Sequence, residues 1–183
     1  MPADPISTAN AAVAQITGAI RQAARAVGTS FSYLLATAKV ESNFDPGAKA
    51  TTSSAQGLFQ FIEQTWLATM KESGARLGYG GYAEAIVKTR SGHMDVPDTT
   101  MRREILGLRR DPDVTAAMAG AFTNSNASIL NARLGRAPTE GELYIAHFLG
   151  AGGAGKLINA ASTSNPPAAT LFPSAASANR SIF

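Results

Sequence analysis

The stretch VESNFDPGAKATTSSAQGLFQFIEQTW, residues Val40 to Trp66, decides how the remainder of the chain is understood. It begins at the end of an apolar run in which Leu34, Ala38 and Glu41 are spaced four and three residues apart. That spacing places all three on one face of a helix, and Ser30 supplies an N-cap for it. A carboxylate therefore stands on an otherwise apolar face close to a helix C-terminus. Asp45-Pro46-Gly47 then stops the helix, because proline lacks the backbone donor a further turn needs. The small polar residues from Ala48 to Gly57 predict a loop or a short hairpin-like turn. Gly57-Leu58-Phe59-Gln60-Phe61 follows, leading into a helical run through Trp66 to about Arg76.

Outward from this stretch the pattern stays helical. Val13, Ile16, Ile20, Ala24 and Val27 form a stripe that predicts a helix from about Ser7, ended by Gly28. Gly78, Gly80 and Gly81 form a break, Tyr82 to Lys88 suggests a short helix, and residues 90–98 an exposed loop. Asp98 can cap a short helix through Leu108. Asp111-Pro112-Asp113 is a helix start with proline in the first turn. The long helix after it carries Val114, Met118, Ala121, Phe122, Ser125 and Ile129 on one side and is expected to lie centrally. Thr139 and Glu142 have the spacing of a capping box, and the glycines from Gly150 predict a turn and one more short helix. Strand signal is scarce, so the fold class is mainly α, with loops and short helices leaving a cleft between two lobes. Residues 1–8 read as an N-terminal tail, 9–161 as one domain, and 162–183 as a Ser/Ala/Pro-rich extension.

Composition narrows the classes further. A chain of 183 residues with 45% hydrophobic residues fits one domain with a real core. The net charge of +3 favours an anionic partner too weakly to choose among nucleic acid, membrane and cell-wall polymer. No aromatic-plus-basic pattern suggests nucleic acid, and the pairs Arg102-Arg103 and Arg109-Arg110 read as solvated surface. The absence of cysteine excludes disulfides and thiolate chemistry, and two histidines, His93 and His147, make a multi-histidine metal site unexpected. No stretch is apolar enough to span a membrane. The opening MPADPISTAN has neither the basic segment nor the apolar core of a signal peptide, so another export route or an earlier processing step is expected.

Three features of the Val40–Trp66 window, in order, carry a resemblance: Glu41-Ser42, then Phe44-Asp45-Pro46, then Gly57-Leu58-Phe59-Gln60. In this order and spacing the sequence resembles the lysozyme-like lytic transglycosylases of the soluble (SLT) type. That family has a catalytic Glu followed by Ser at a helix end, an aromatic-Asp/Asn-Pro turn, and a Gly-Leu-hydrophobic-Gln segment. The resemblance covers Leu34 to Trp66 well, is looser from Asp113 to Ile158, and is absent in the tails. It implies a lysozyme-like two-lobed helical domain that cleaves the β-1,4 bond between MurNAc and GlcNAc of peptidoglycan glycan strands. It also implies 1,6-anhydromuramic products, no cofactor or metal, and a periplasmic or cell-envelope location.

Elementary chemistry agrees with Glu41 as the acid. Glycosidic cleavage needs a carboxylic acid to protonate the leaving oxygen, and apolar surroundings disfavour the charged carboxylate. Most glycosidases need a second carboxylate; Asp45 reads as a turn residue and Glu63 as a helix-start residue. In the family the one acid later acts as base toward the sugar's own C6 hydroxyl. By resemblance Gln60 lines the saccharide subsites, and Thr51 falls near a family serine. Phe59 and Phe61, adjacent but one, share a side of the segment that is expected to face the cleft, with Phe59 at the substrate, while Leu58 enters the core. Trp66 reads as core. His147 stands where many members have a tyrosine, with Tyr144 three residues earlier on the same face, an arrangement also seen in phage-type and export-associated relatives; both are expected at the substrate. Alternatives left open are a hydrolytic muramidase, a non-catalytic peptidoglycan-binding or assembly module, and a chitinolytic enzyme. Wall turnover, phage lysis and service to a secretion or flagellar machinery are all compatible roles.

Overall fold

A computed structural model describes residues 5–164 and 166–178; parts of the proposed tail and extension lie outside these. The described residues form nine α-helices, two single-turn 3-10 helices and one small antiparallel hairpin. The fold is mainly α. The chain divides into two compact units, one ending at Asn124 and the other starting at Ser125.

The first unit opens with α1, Pro5–Val27, which starts before the Ser7 read from periodicity. Its buried stripe begins at Ile16 and continues through Ile20 and Ala24, while Val13 is exposed. Gly28, at φ 70°, ends the helix in the left-handed region, and the Thr29 N–H reaches back to the Ala24 carbonyl at 3.0 Å. The Ser30 hydroxyl accepts from the Tyr33 N–H, so α2, Phe31–Ser42, starts at its expected cap. The end of α1 lies close against α6, Pro112–Leu134. A Cβ on Gly120 would stand 2.4 Å from Val27 Cγ2, and Asn124 donates to the Val27 carbonyl at 2.6 Å. Within this unit α6 is buried at Val114, Ala116, Met118, Ala119 and Ala121, which makes it central as expected.

Helix α3, Glu63–Ser73, is followed by a 3-10 turn, Ala75–Leu77, and by α4, Gly80–Ala85. Two expectations fail here. The short helix starts among the glycines, and Val87–Lys88 leaves it to form β1, paired with β2, Met94–Asp95, inside the segment read as loop. A two-residue pairing is too short to show strand alternation, so periodicity could not reveal it. The Gln64 side chain holds the hairpin to α3, donating to the Met94 carbonyl at 3.0 Å and accepting from its N–H at 2.9 Å. Helix α5, Thr99–Gly107, is capped by Asp98 as expected, and a 3-10 turn, Leu108–Arg110, leads to α6.

In the second unit the remainder of α6 turns its burial from the expected Ile129, which is exposed, to Leu130. Helix α7, Glu140–Thr163, starts at the Thr139–Glu142 capping box and breaks its geometry at Gly150, φ 71° and ψ 159°. Only glycine adopts that conformation readily, so the glycine turn and second helical piece appear as expected. Leu130, Ala146, Ala151 and Ala154 form this unit's core. The extension folds into α8, Ala168–Leu171, and α9, Pro173–Ala178. Lys156 on α7 lies 5.4 Å from the Phe172 ring centroid and donates to the Leu171 carbonyl at 3.2 Å.

Candidate active site

Glu41 lies in the last turn of α2. On its face Leu34 and Ala38 are buried and Glu41 itself is half-buried. The chain then reverses through two consecutive left-handed residues, Asn43 at φ 53° and Phe44 at φ 64°. Each such L-residue costs roughly 1–2 kcal/mol, and local contacts offset this. The Asn43 N–H donates to the Lys39 carbonyl at 3.0 Å. Lys39 also donates to the Asn43 side chain, and its ammonium sits 5.6 Å from the Phe44 ring centroid. Asp45 accepts from the Gly47 N–H at 2.8 Å, the work of a turn residue.

Ser42 joins the helix end to the next segment. Its hydroxyl lies 3.1 Å from the Ala38 carbonyl and 3.0 Å from the Leu58 carbonyl, with one proton to share between them. The segment it reaches is a rudimentary three-stranded turn, with antiparallel bridges from Lys49 to Gln56 and from Gln56 to Phe61. Thr51 is exposed on this turn. Gln60 is half-buried at φ 46°, and its side-chain amide nitrogen donates to the Gly57 carbonyl at 2.9 Å and the Ala48 carbonyl at 3.3 Å.

The expectation for Phe59 and Phe61 is overturned. Phe59 is 0% exposed and Phe61 2%, so both enter the core with Leu58. Phe61 meets Trp66 edge to face at 5.3 Å and Phe122 at 5.8 Å. Burying three such side chains contributes roughly 1.5–3 kcal/mol each. The irregular loop consequently needs its aromatic residues as anchors and has none to offer a sugar face. Trp66 is core as expected, donating from its indole to the Ile105 carbonyl at 2.8 Å.

Arg109 also departs from its surface reading. It is 5% exposed, and its guanidinium donates to three carbonyls: Ser54 at 2.7 Å, Phe61 at 3.1 Å and Leu106 at 3.0 Å. Burial lowers its pKa, an effect partly offset by Glu63; a guanidinium stays charged regardless. It stands in the 3-10 turn after the fully buried Ile105, and no local pattern in the sequence separates it from its exposed neighbour Arg110. Arg102 bridges Glu63 at 2.8 Å and Asp95 at 3.2 Å. Asp45 and Glu63 therefore both have structural partners. Among the described residues no three Asp, Glu or His side chains are grouped as metal ligands.

In the second unit Tyr144 and His147 come together on α7. Their rings stack with centroids 6.2 Å apart and planes 5° apart, and Tyr144 is exposed. Phe148 beside them is exposed as well. His93 is exposed at the hairpin tip, within 3.1 Å of the Ser91 hydroxyl.

Glu41-Ser42 at the end of α2 is thus tied through the Ser42 hydroxyl to the Gly57-Leu58-Phe59-Gln60 loop. Residues 18–82 match the family model of the transglycosylase SLT domain, the family that the pattern from Glu41 to Gln60 resembles. With it comes a peptidoglycan-related activity of the lytic-transglycosylase type. The match runs from within α1 to Tyr82 in α4, so it includes Glu41, Thr51 and Gln60 and ends before Arg109, Tyr144 and His147. Among the described residues no helix is long and apolar enough to cross a membrane.

Proposed function

We propose that the protein is a lytic transglycosylase cleaving the β-1,4 bond between MurNAc and GlcNAc, with Glu41 as its acid and then its base. One observation carries the reading: Ser42 fastens the end of α2, and with it Glu41, to the Leu58 carbonyl of the loop that bears Gln60. In the first step the Glu41 carboxyl gives its proton to the glycosidic oxygen as the bond to C1 breaks. In the second, the Glu41 carboxylate takes the proton of the C6 hydroxyl while that oxygen closes onto C1. A 1,6-anhydromuramic end forms, and no water is consumed. The structural partners of Asp45 and Glu63 favour a site run by one carboxylate.

Gln60 has committed its amide nitrogen to the loop, so its amide oxygen is the group it presents to a sugar hydroxyl or N-acetyl N–H. Thr51, on the exposed turn, has room for an outer saccharide contact. The stacked Tyr144–His147 pair is a flat face of the kind that packs on a pyranose ring. Within this reading the substrate is the glycan strand, the place of action is the periplasm or cell envelope, and residues 9–161 form the catalytic domain. Service to a secretion or flagellar machinery belongs to the same reading.

The test is mass spectrometry of sugars released from purified peptidoglycan by the wild type and by Glu41→Gln. Anhydro products, lighter by one water than hydrolytic ones, are expected from the wild type. Turnover should fall about a thousandfold in the variant, with glycan binding retained. Products of full hydrolytic mass would make the protein a muramidase, and equal turnover by both proteins would remove Glu41 from the chemistry.

A further inference from the structure

We propose that Arg109 is a positioning residue for the Glu41 site, its guanidinium pinning both ends of the Ser54–Phe61 loop and so setting where Gln60 stands. The inference rests on the reading of Glu41 and Gln60 given above.

Two observations meet on this residue, and a third lies at Gln60 on the loop it holds. One guanidinium nitrogen, Nη1, donates to the Ser54 and the Phe61 carbonyls, which lie at the two ends of the loop. The Phe61 carbonyl also accepts from the Gln56 N–H at 3.2 Å, so the Arg109 contact fastens the same atom that closes the turn. Second, the middle of the loop rests on the backbone of the same residue. An ideal Cβ on Gly57, φ +83°, would stand 1.9 Å from the Arg109 carbonyl oxygen. Only glycine gives the left-handed conformation and the close approach together. Third, Gln60 holds φ 46°, a conformation that L-residues keep only where the surroundings over-determine it.

Arg109 is itself held by its Nε donating to the Leu106 carbonyl at 3.0 Å, in its own segment. It therefore transmits the position of the α5 exit to the loop. From there the path runs through Leu58 to the Ser42 hydroxyl beside Glu41. A guanidinium suits this role because its donors lie in a rigid plane and remain protonated. A lysine could replace the charge and a donor, though not the planar fork.

The experiment uses the full chain with Arg109→Lys, Arg109→Met, Gln60→Ala and the combination of Arg109→Met with Gln60→Ala, beside Glu41→Gln as control. At a temperature where circular dichroism shows each protein folded, Arg109→Met should lower kcat/KM on purified peptidoglycan by about a hundredfold. Arg109→Lys should recover part of that loss. Adding Arg109→Met to Gln60→Ala should cost little more, because both changes remove one placement. In nitrogen-15 NMR the Gln60 side-chain amide signal should move in both Arg109 variants. A melting temperature that drops while kcat/KM and the Gln60 signal stay at wild-type values would make Arg109 merely structural and overturn the proposal. If Arg109→Met does not fold, Arg109→Lys decides by the same two measurements. Wild-type turnover by Glu41→Gln would overturn the site reading instead, and the Gln60 signal would still show whether Arg109 sets the loop.

Discussion

The loop between Ser54 and Phe61 in the first unit and the start of α7 in the second both satisfy backbone groups with side chains, in opposite surroundings. In the loop the partner is Arg109, buried, and 55 and 48 residues away from the carbonyls it serves. At α7 the Thr139 hydroxyl accepts from the Glu142 N–H at 3.3 Å, and the Glu142 carboxylate accepts from the Thr139 N–H at 2.8 Å. Arg136 in turn pairs with Glu142 at 2.6 Å, with about half of the Arg136 side chain in solvent. A buried donor or acceptor left short of a partner costs about 1–3 kcal/mol, because no water replaces it; the Arg109 bond to Phe61 is buried and the one to Ser54 partly so. An exposed helix start that loses its cap falls back on solvent. The loop should therefore fail abruptly and the helix start by degrees.

The harshest way to break this contrast is Gly57→Ala. The added Cβ has no space against the Arg109 carbonyl, and the backbone angle is left-handed. The expected loss is about 3 kcal/mol. Urea unfolding followed by the fluorescence of Trp66, the chain's one tryptophan and a core residue of this unit, measures it directly. An unchanged midpoint would mean that the loop yields easily, and the contrast would collapse.

The same contrast explains what was legible in the sequence. Ser30, Asp98 and Thr139 were read as caps and are caps, because a cap is decided within three or four residues. Glu41 at a helix end and the glycine break at Gly150 were legible for the same local reason. The burial of Arg109 was not, since its partners are far away in the chain and a pair of arginines ordinarily faces water. Nor was the burial of Phe59: alternation suggested two faces, whereas a loop with irregular dihedrals, Gln60 at φ 46° among them, can send Leu58, Phe59 and Phe61 the same way. The drift of burial from Ile129 to Leu130 shows the limit of one stripe extended along a 23-residue helix that serves two units.

Thr139→Ala sharpens the other side. It removes one half of the capping box and should cost the second unit about 1 kcal/mol. Hydrogen exchange should show faster exchange at the Glu142 amide and its neighbours in the first turn of α7. The transition seen by Trp66 should not move. A shift in that transition would show that the α7 cap supports the first unit as well, and the two stretches could no longer be treated as independent cases.

Acid should produce the smallest effect, and one with a definite sign. The Glu142 carboxyl is held at about 2, below the ordinary 4.5, first by the hydrogen bond from Arg136 and then by the Thr139 N–H. A carboxyl whose folded pKa is depressed contributes stability that is complete above its unfolded value and lost as pH falls through its folded value. The α7 start should therefore loosen progressively from pH 4.5 down to about 2. Salt should weaken the Arg136 part, because that side chain is half exposed and its charge is screened. Protection factors of the first-turn amides of α7, taken across this range with and without added salt, measure both. Glu142→Gln should flatten the pH dependence, since the amide has no proton to gain. The clamp at Ser54 and Phe61 has no such handle, because its donor is a guanidinium and its acceptors are carbonyls. Protection at Phe61 that fell over the same pH range as that of α7 would show that burial does not insulate the loop, and the difference between the two stretches would be one of degree.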